Sequence, residues 1–213
     1  MLPAILTDDP EALETMIRQV ESFTTYAQID IMDGQFVPST SITWEHLVPL
    51  SIKFAWEAHL MVIQPVNYLE GFKEAGAQSI IFHYEATPSP QEVIASARNL
   101  GLDVGLAINP ETPVSAVARL TSQLDSILLL SVNPGFYGSK FIPEVVDKVA
   151  ELRQACPNLR IGIDGGISER NIAEIARSGV DDICVGSAIF LQPQPAESFR
   201  HLQSLIQDAS ARA

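Results

Sequence analysis

Two aspartates close otherwise apolar runs: Asp30 in YAQIDIM (26–32) and Asp164 in RIGIDGGI (160–167). A carboxylate turned into a core is costly unless it finds a partner, so each position needs a chemical reason. Carboxylates that meet a substrate from opposite faces suit proton removal on one side and delivery on the other. Inverting a carbon next to a carbonyl requires that arrangement. Asp33, immediately before Gly34, reads instead as a turn-former, because Asp-Gly is a turn signature. His59, in FAWEAHLMV (54–62), completes a set of two carboxylates and an imidazole able to hold a divalent ion. A lone strand histidine is also commonly a hydrogen-bonded core residue, and the residues alone leave both readings open.

Three glycine-bearing segments follow apolar runs: NPGFYGSKF (133–141), DGGIS (164–168) and VGSAIF (185–190). Glycine lets backbone N–H groups approach an anion closely, and such loops build phosphate sites without cationic side chains. That fits a chain with 26 acidic and 13 basic residues and a formal net charge of -13. The same charge argues against nucleic-acid or anionic-membrane partners, which need concentrated Lys and Arg.

These groups must be positioned by a repeating unit. Strand-like runs occur at 3–6, 26–32, 54–62, 79–86, 103–109, 126–132, 160–167 and 181–186. Amphipathic helical patterns alternate with them, among them PEALETMIRQVESF, VNYLEGFKEAG, PQEVIASARNLG, IPEVVDKVAELRQAC and ERNIAEIARSG, with a short helix expected within 44–50. Several patterns end in a glycine stop. Strand–helix alternation implies parallel pairing with right-handed crossovers. Eight such units in 213 residues fit one (β/α)8 TIM barrel domain over 1–213. A doubly wound sheet is the competitor, but the GxGxxG turn it often carries is absent.

In a barrel the site lies at the C-terminal strand ends, and strand parity sorts the candidates. Gln28, Asp30 and Met32 share one parity, as do Glu57, His59 and Met61. His83, Glu85, Ser131 and Asn133 are expected to join them at one mouth with Asp164. Cys156 and Cys184 have no metal or redox spacing and read as reduced thiols. The N-terminus lacks a signal-peptide pattern and no stretch reaches membrane-spanning length, so a cytoplasmic location is expected.

Taken in order, DIMDGQFVPS, AHLMV, IIFHYEA, GLAINPET, SVNPGFYGSKFI, IDGGIS and VGSAIF resemble the motifs of the ribulose-phosphate 3-epimerase family, from Pro3 to about Phe190. The resemblance implies a barrel that interconverts D-ribulose 5-phosphate and D-xylulose 5-phosphate by acid/base catalysis at C3. It also implies one divalent metal ion (Zn, Mn, Fe or Mg) and a homo-oligomer. By motif position, Asp30 and Asp164 match the catalytic acid/base pair and metal ligands, and His59 a metal ligand at the substrate. Gly135, Phe136, Tyr137, Gly138, Gly165, Gly166, Gly186 and Ser187 match the phosphate site, and Met32 and Met61 match methionines that line the site near the reacting carbons.

The chain departs from the family pattern at several of these places. Gln28 stands where the family has a metal-binding histidine and Gln35 where it has a second histidine. Ala4 replaces a serine, Glu57 an aspartate and Tyr137 a glycine. A glutamine carbonyl is a weaker ligand for zinc than imidazole, and its loss of a nitrogen donor favours Mn2+ or Mg2+. Alternatively, the site works without metal, with the Gln28 amide donating to a substrate oxyanion. Two competing functions remain: an epimerase or isomerase of another ketose phosphate, and a sugar-phosphate-binding paralogue without catalysis.

Overall fold

The computed structural model describes residues 1–134 and 139–211. Eight parallel strands close into a barrel in sequence order: β1 (Leu2–Ile5), β2 (Tyr26–Met32), β3 (Ala55–Met61), β4 (Ser79–His83), β5 (Asp103–Ile108), β6 (Ser126–Leu130), β7 (Arg160–Asp164) and β8 (Asp182–Val185). Helices α1 (Pro10–Val20), α2 (Trp44–Leu47), α3 (Leu69–Glu74), α4 (Pro90–Asn99), α5 (Val114–Val117), α6 (Asp147–Ala155), α7 (Ile172–Arg177), α8 (Ser187–Phe190) and α9 (Pro195–Ser210) accompany them. All eight anticipated strands form. Several are shorter than their apolar runs: β4 stops at His83, and residues Tyr84–Ala86 turn into a 3-10 segment. The short helix expected within 44–50 is α2.

Local chemistry sets the ends. Asp9 caps α1 by accepting from the Glu11 amide at 2.9 Å, and Pro10 takes the first helical position, where no N–H is needed. Gly76, Gly101 and Gly179 follow α3, α4 and α7 with φ of 93°, 69° and 90°, the left-handed stop that only glycine adopts cheaply.

Strand alternation divides the apolar residues into two layers. Ala27, Ile29 and Ile31, Trp56, Ala58 and Leu60, and Ile80 and Phe82 face outward and pack under the helices. There Trp56 meets Phe72 of α3 edge-on, ring centres 6.5 Å apart. Opposite-parity residues fill the barrel: Leu2, Ala4, Ile81, Ala107, Leu128 and Cys184 form a separate interior cluster. Burying such a side chain is worth about 1.5–3 kcal/mol, so register is strongly enforced.

The register also climbs round the barrel. Asp30 pairs with His59, His59 with Ile81, Ile81 with Gly105, Gly105 with Ser126 and Ser126 with Arg160. A rung that begins near the C-terminal end of β2 therefore ends at the first residue of β7. Asp164, four positions further along β7, is thereby brought level with Asp30. This stagger accompanies strand tilt in a closed barrel.

Room inside is limited. A Cβ at Gly105 would meet Ser126 Oγ at 2.5 Å and Ile81 Cγ1 at 2.8 Å. Gly105→Val should lower stability by about 1–3 kcal/mol through overpacking. The unfolding midpoint in urea checks this, and an unchanged midpoint would show the interior to be looser than described.

Candidate active site

The end of β2 is a run of alternating duties. Ala27, Ile29 and Ile31 belong to the outer core, whereas Gln28, Asp30 and Met32 point into the barrel, all buried. Gln28 is fully buried, and its Nε2 donates to Asp30 Oδ1 and to Asp164 Oδ2, each at 2.9 Å. His59 Nδ1 lies 3.0 Å from the same Asp30 oxygen and 3.4 Å from Asp164 Oδ2. One amide thus bridges two acids that approach each other through the interior from β2 and β7.

The electrostatics follow from that crowding. Burial first, and then the charge of Asp164, raise the Asp30 pKa above the ordinary carboxylate value, despite hydrogen bonds from His59 and Gln28 that oppose it. Burial alone would discourage charge on His59. Hydrogen bonds to Asp164 and Asp30, reinforced by their charges, outweigh it and hold the imidazole at about 9. The pocket therefore favours a positive group between its acids.

Asp30, His59 and Asp164 offer one ligand atom each, all within 4.8 Å of one another. On the same side chain, Gln28 Oε1 is buried without a hydrogen-bond partner among the described residues. A half-turn of the amide would exchange this oxygen for the nitrogen that now meets the carboxylates. Three oxygen donors and one imidazole fit a divalent ion, the oxygen-rich balance suiting Mn2+ or Mg2+ better than a set richer in nitrogen. The donor set and the orphaned carbonyl are both consistent with a metal centre.

The mouth above these groups is built by the 33–42 loop. Asp33 Oδ1 accepts the Gln35 and Phe36 amides at 2.8 and 2.9 Å, and its Oδ2 accepts the Ile63 amide at 2.8 Å. Asp33 is thus the anticipated turn-former and ties the loops after β2 and β3 together besides. Ser41, which sequence reasoning missed, returns across the strand end: its Oγ donates to Asp30 O at 3.0 Å and accepts from the Met32 amide at 2.9 Å. Nothing in the spacing of a loop serine would have marked it. Met32, Met61 and Val37, with Leu6 and Phe36, form a small apolar cluster over the acids.

The opposite wall is glycine. Gly165 and Gly166 have φ of 109° and 65°. A Cβ would meet Val132 Cγ2 at 2.5 Å in the first case and the Phe141 backbone nitrogen at 2.6 Å in the second. Both conformation and space demand glycine here. Ser131 Oγ is within 2.8 Å of the carbonyl oxygens of both Asp164 and Gly165, fastening this turn to the end of β6. Asp30, Met32, Met61, Asp164, Gly165, Gly166, Gly186 and Ser187 line one cavity, together with Ala4. Gly135, Phe136, Tyr137 and Gly138 lie outside the described residues.

Glu57, Glu85 and Asn133, expected at the mouth, are not among the residues that line this cavity. Glu57 has the interior parity but lies one pair of residues nearer the start of β3, where it accepts from Tyr26 Oη at 3.0 Å. It lines a larger cavity, about 290 Å3, at the other end of the barrel with Arg160 and Asp182. Burial pushes the Glu57 carboxyl up to about 7. Parity gives the face but not the height, which the register supplies. Asn133 is exposed, beyond the end of β6. The two cysteines are free thiols, Cys184 buried inside the barrel and Cys156 at the end of α6. Among the described residues no helix is long and apolar enough to cross a membrane.

The fold and site define a (β/α)8 barrel with paired interior carboxylates and a glycine-walled mouth. The sequence model of the ribulose-phosphate 3 epimerase family matches residues 1–190, and the chain belongs to that family. Relatives named ribulose-phosphate 3-epimerase, an isomerase, include those of Schizosaccharomyces pombe (34% identical, covering 97% of this chain and 93% of the relative) and Synechocystis sp. (37%, covering 92% and 89%). The Escherichia coli relative of the same name is 36% identical, covering 90% of this chain and 88% of its own. Among solved structures, 3-hexulose-6-phosphate synthase from Salmonella typhimurium superimposes with a TM-score of 0.73 at 19% identity, covering 98% of this chain and 99% of the other. That likeness shows the shared barrel.

Gln28→Leu would leave two buried carboxylates without their common donor. A loss of about 1–3 kcal/mol is expected, read from denaturant unfolding at neutral pH. Stability equal to that of the parent would show that the amide bridge contributes nothing.

Proposed function

We propose that this chain interconverts D-ribulose 5-phosphate and D-xylulose 5-phosphate by inverting C3, passing the proton through Asp30 and Asp164. The observation that carries the reading is the buried pair of carboxylates, their ligand atoms within 4.8 Å at the C-terminal mouth of the barrel. Asp30 accepts the C3 proton, leaving an enediolate, and Asp164, entering the step in its acid form, delivers its proton to the other face and is left as the carboxylate. A carboxylate raised by burial is a stronger base than one in water, which suits removal of a weakly acidic C–H proton. In the absence of a bound ion, the Gln28 N–H and the His59 ring would be the donors to charge developing on the reacting oxygens.

When bound, a divalent ion would polarise the C2 ketone and C3 hydroxyl, held by Asp30, His59 and Asp164 with Gln28 Oε1 as a further oxygen. The phosphate would be gripped by backbone amides of Gly165, Gly166, Gly186 and Ser187, joined by the segment Gly135–Gly138. Met32 and Met61 would cover the reacting carbons and exclude water. The same reading expects a cytoplasmic homo-oligomer, which sedimentation of the purified chain would check for assembly.

Incubation with ribulose 5-phosphate in D2O should place deuterium at C3 and yield xylulose 5-phosphate. Asp30→Asn and Asp164→Asn should each lower kcat by about 10²–10⁴-fold. Clean phosphate binding without C3 exchange would refute catalysis and leave a sugar-phosphate-binding protein. Because Ala4 lines the cavity in place of the family's serine, a hexulose phosphate belongs in the same assay. Faster turnover of that sugar would transfer the assignment to a different ketose phosphate.

Elemental analysis of the same preparation should find one divalent ion per chain, removable by chelator. Gln28→His should tighten Zn2+ binding in competition with a coloured chelator, since it restores an imidazole. Unchanged Zn2+ affinity would place position 28 outside the coordination sphere.

A further inference from the structure

A second histidine stands behind His59 and is not explained by the reaction. His83, at the end of β4, is fully buried, and its Nε2 lies 3.0 Å from His59 Nε2. The two rings stack with centres 5.1 Å apart and planes 23° apart, and Phe36 packs against His83 with centres 4.8 Å apart. A nitrogen–nitrogen contact of this length holds one proton: two would clash and none would leave lone pairs facing each other. The contact turns His59 Nδ1 to Asp30 and Asp164, and which ring donates decides whether His59 Nε2 carries the shared proton.

The other side of His83 settles the choice. Its Nδ1 faces Glu85 Oε2 at 3.5 Å and has no other polar partner among the described residues. Glu85 is anchored through its second oxygen, which accepts the Asn109 amide at 2.9 Å and the Thr112 hydroxyl. Lys148 pins that loop, its Nζ donating to the carbonyls of Asn109, Pro110 and Thr112 at 3.1, 2.7 and 2.7 Å. Held by the Asn109 amide and the Thr112 hydroxyl, the Glu85 carboxylate only accepts.

A bare Nδ1 against this anion would be repelled, so Nδ1 carries the hydrogen. His83 is then the neutral Nδ1–H tautomer, and its Nε2 accepts. His59 must donate from Nε2, and its Nδ1 is the nitrogen turned to the acids.

We infer that His83 and Glu85 are positioning residues that fix the tautomer and ring orientation of His59, so that Nδ1 always faces Asp30 and Asp164. The inference takes from the proposed function only that His59 belongs to the reaction site. It assigns a task to the paired His and Glu of FHYEA: Glu85 orients His83, and His83 orients His59. A ligating histidine generally needs such a partner on its other nitrogen. Here the partner is a second imidazole, backed by a carboxylate.

The test uses the full chain labelled with 15N-histidine, Mg2+ being the added ion so that nothing paramagnetic broadens the lines. Two-bond 1H–15N correlation spectra should show His83 protonated on Nδ1, the rarer tautomer in water, and His59 protonated on Nε2. In His83→Phe, which keeps a flat ring, the His59 pattern should move to that of an averaging imidazole. Mn2+ binding to that variant, read by electron paramagnetic resonance with the metal alone, should weaken about ten-fold. Wild-type His83 protonated on Nε2 would overturn the inference, as would a His59 pattern unaltered in His83→Phe. If that variant fails to fold, the wild-type spectrum alone decides. No substrate is used, so failure here is separate from failure of C3 exchange.

Discussion

Everything at the mouth of this barrel follows from bringing two carboxylates together in a buried place. Asp30 and Asp164 repel each other, and burial removes the water that would screen them. Left alone, such a pair would take up a proton or push its strands apart. The surroundings instead supply hydrogen-bond donors: the Gln28 amide reaches both acids at 2.9 Å, and His59 stands against both. The tension is useful. A site that demands positive charge between two bases is prepared for a cation, a proton or the polarised hydroxyls of a sugar.

Geometry of this kind requires a stiff frame. The staggered register sets Asp30 and Asp164 at one height, although they occupy different positions along β2 and β7. Ser41 clasps the end of β2 through the backbone of Asp30 and Met32, and Ser131 clasps the end of β7 through the carbonyls of Asp164 and Gly165. Each clasp acts on the main chain beside an interior carboxyl rather than on the carboxyl itself. The glycines opposite are fixed as firmly. Gly165 and Gly166 combine left-handed backbone with contacts that a Cβ could not tolerate.

Much of this is written in strand alternation. Apolar runs with polar residues of one parity near their ends announce a barrel, and Asp30, His59 and Asp164 do meet inside it. Alternation is blind to height, however, and so Glu57 was expected beside His59 but lies below it with Tyr26. Asn133 fails for a different reason. β6 ends at Leu130, so parity no longer governs a residue three positions beyond. Ser41 was not legible at all, because its role depends on a loop folding back across β2. Glu85 also leaves the strand pattern: β4 gives way to a 3-10 turn after His83, which carries the carboxylate round to the far side of that ring.

Gln28 shows how far a family pattern can be followed at a single position. An imidazole there would offer one nitrogen to a metal. An amide offers an oxygen to a cation or two N–H groups to anions, and half a turn separates the two. Beside the His59 ring, the amide nitrogen faces inward to the two acids, leaving the oxygen buried with no hydrogen-bond partner among the described residues. That orphaned carbonyl is a standing cost which a divalent ion could remove by drawing the oxygen round. Gln28 therefore gives both carboxyl groups a common donor without an ion between them. An amide can satisfy the carboxylates without one, whereas a neutral histidine has only a single N–H to share between two acids.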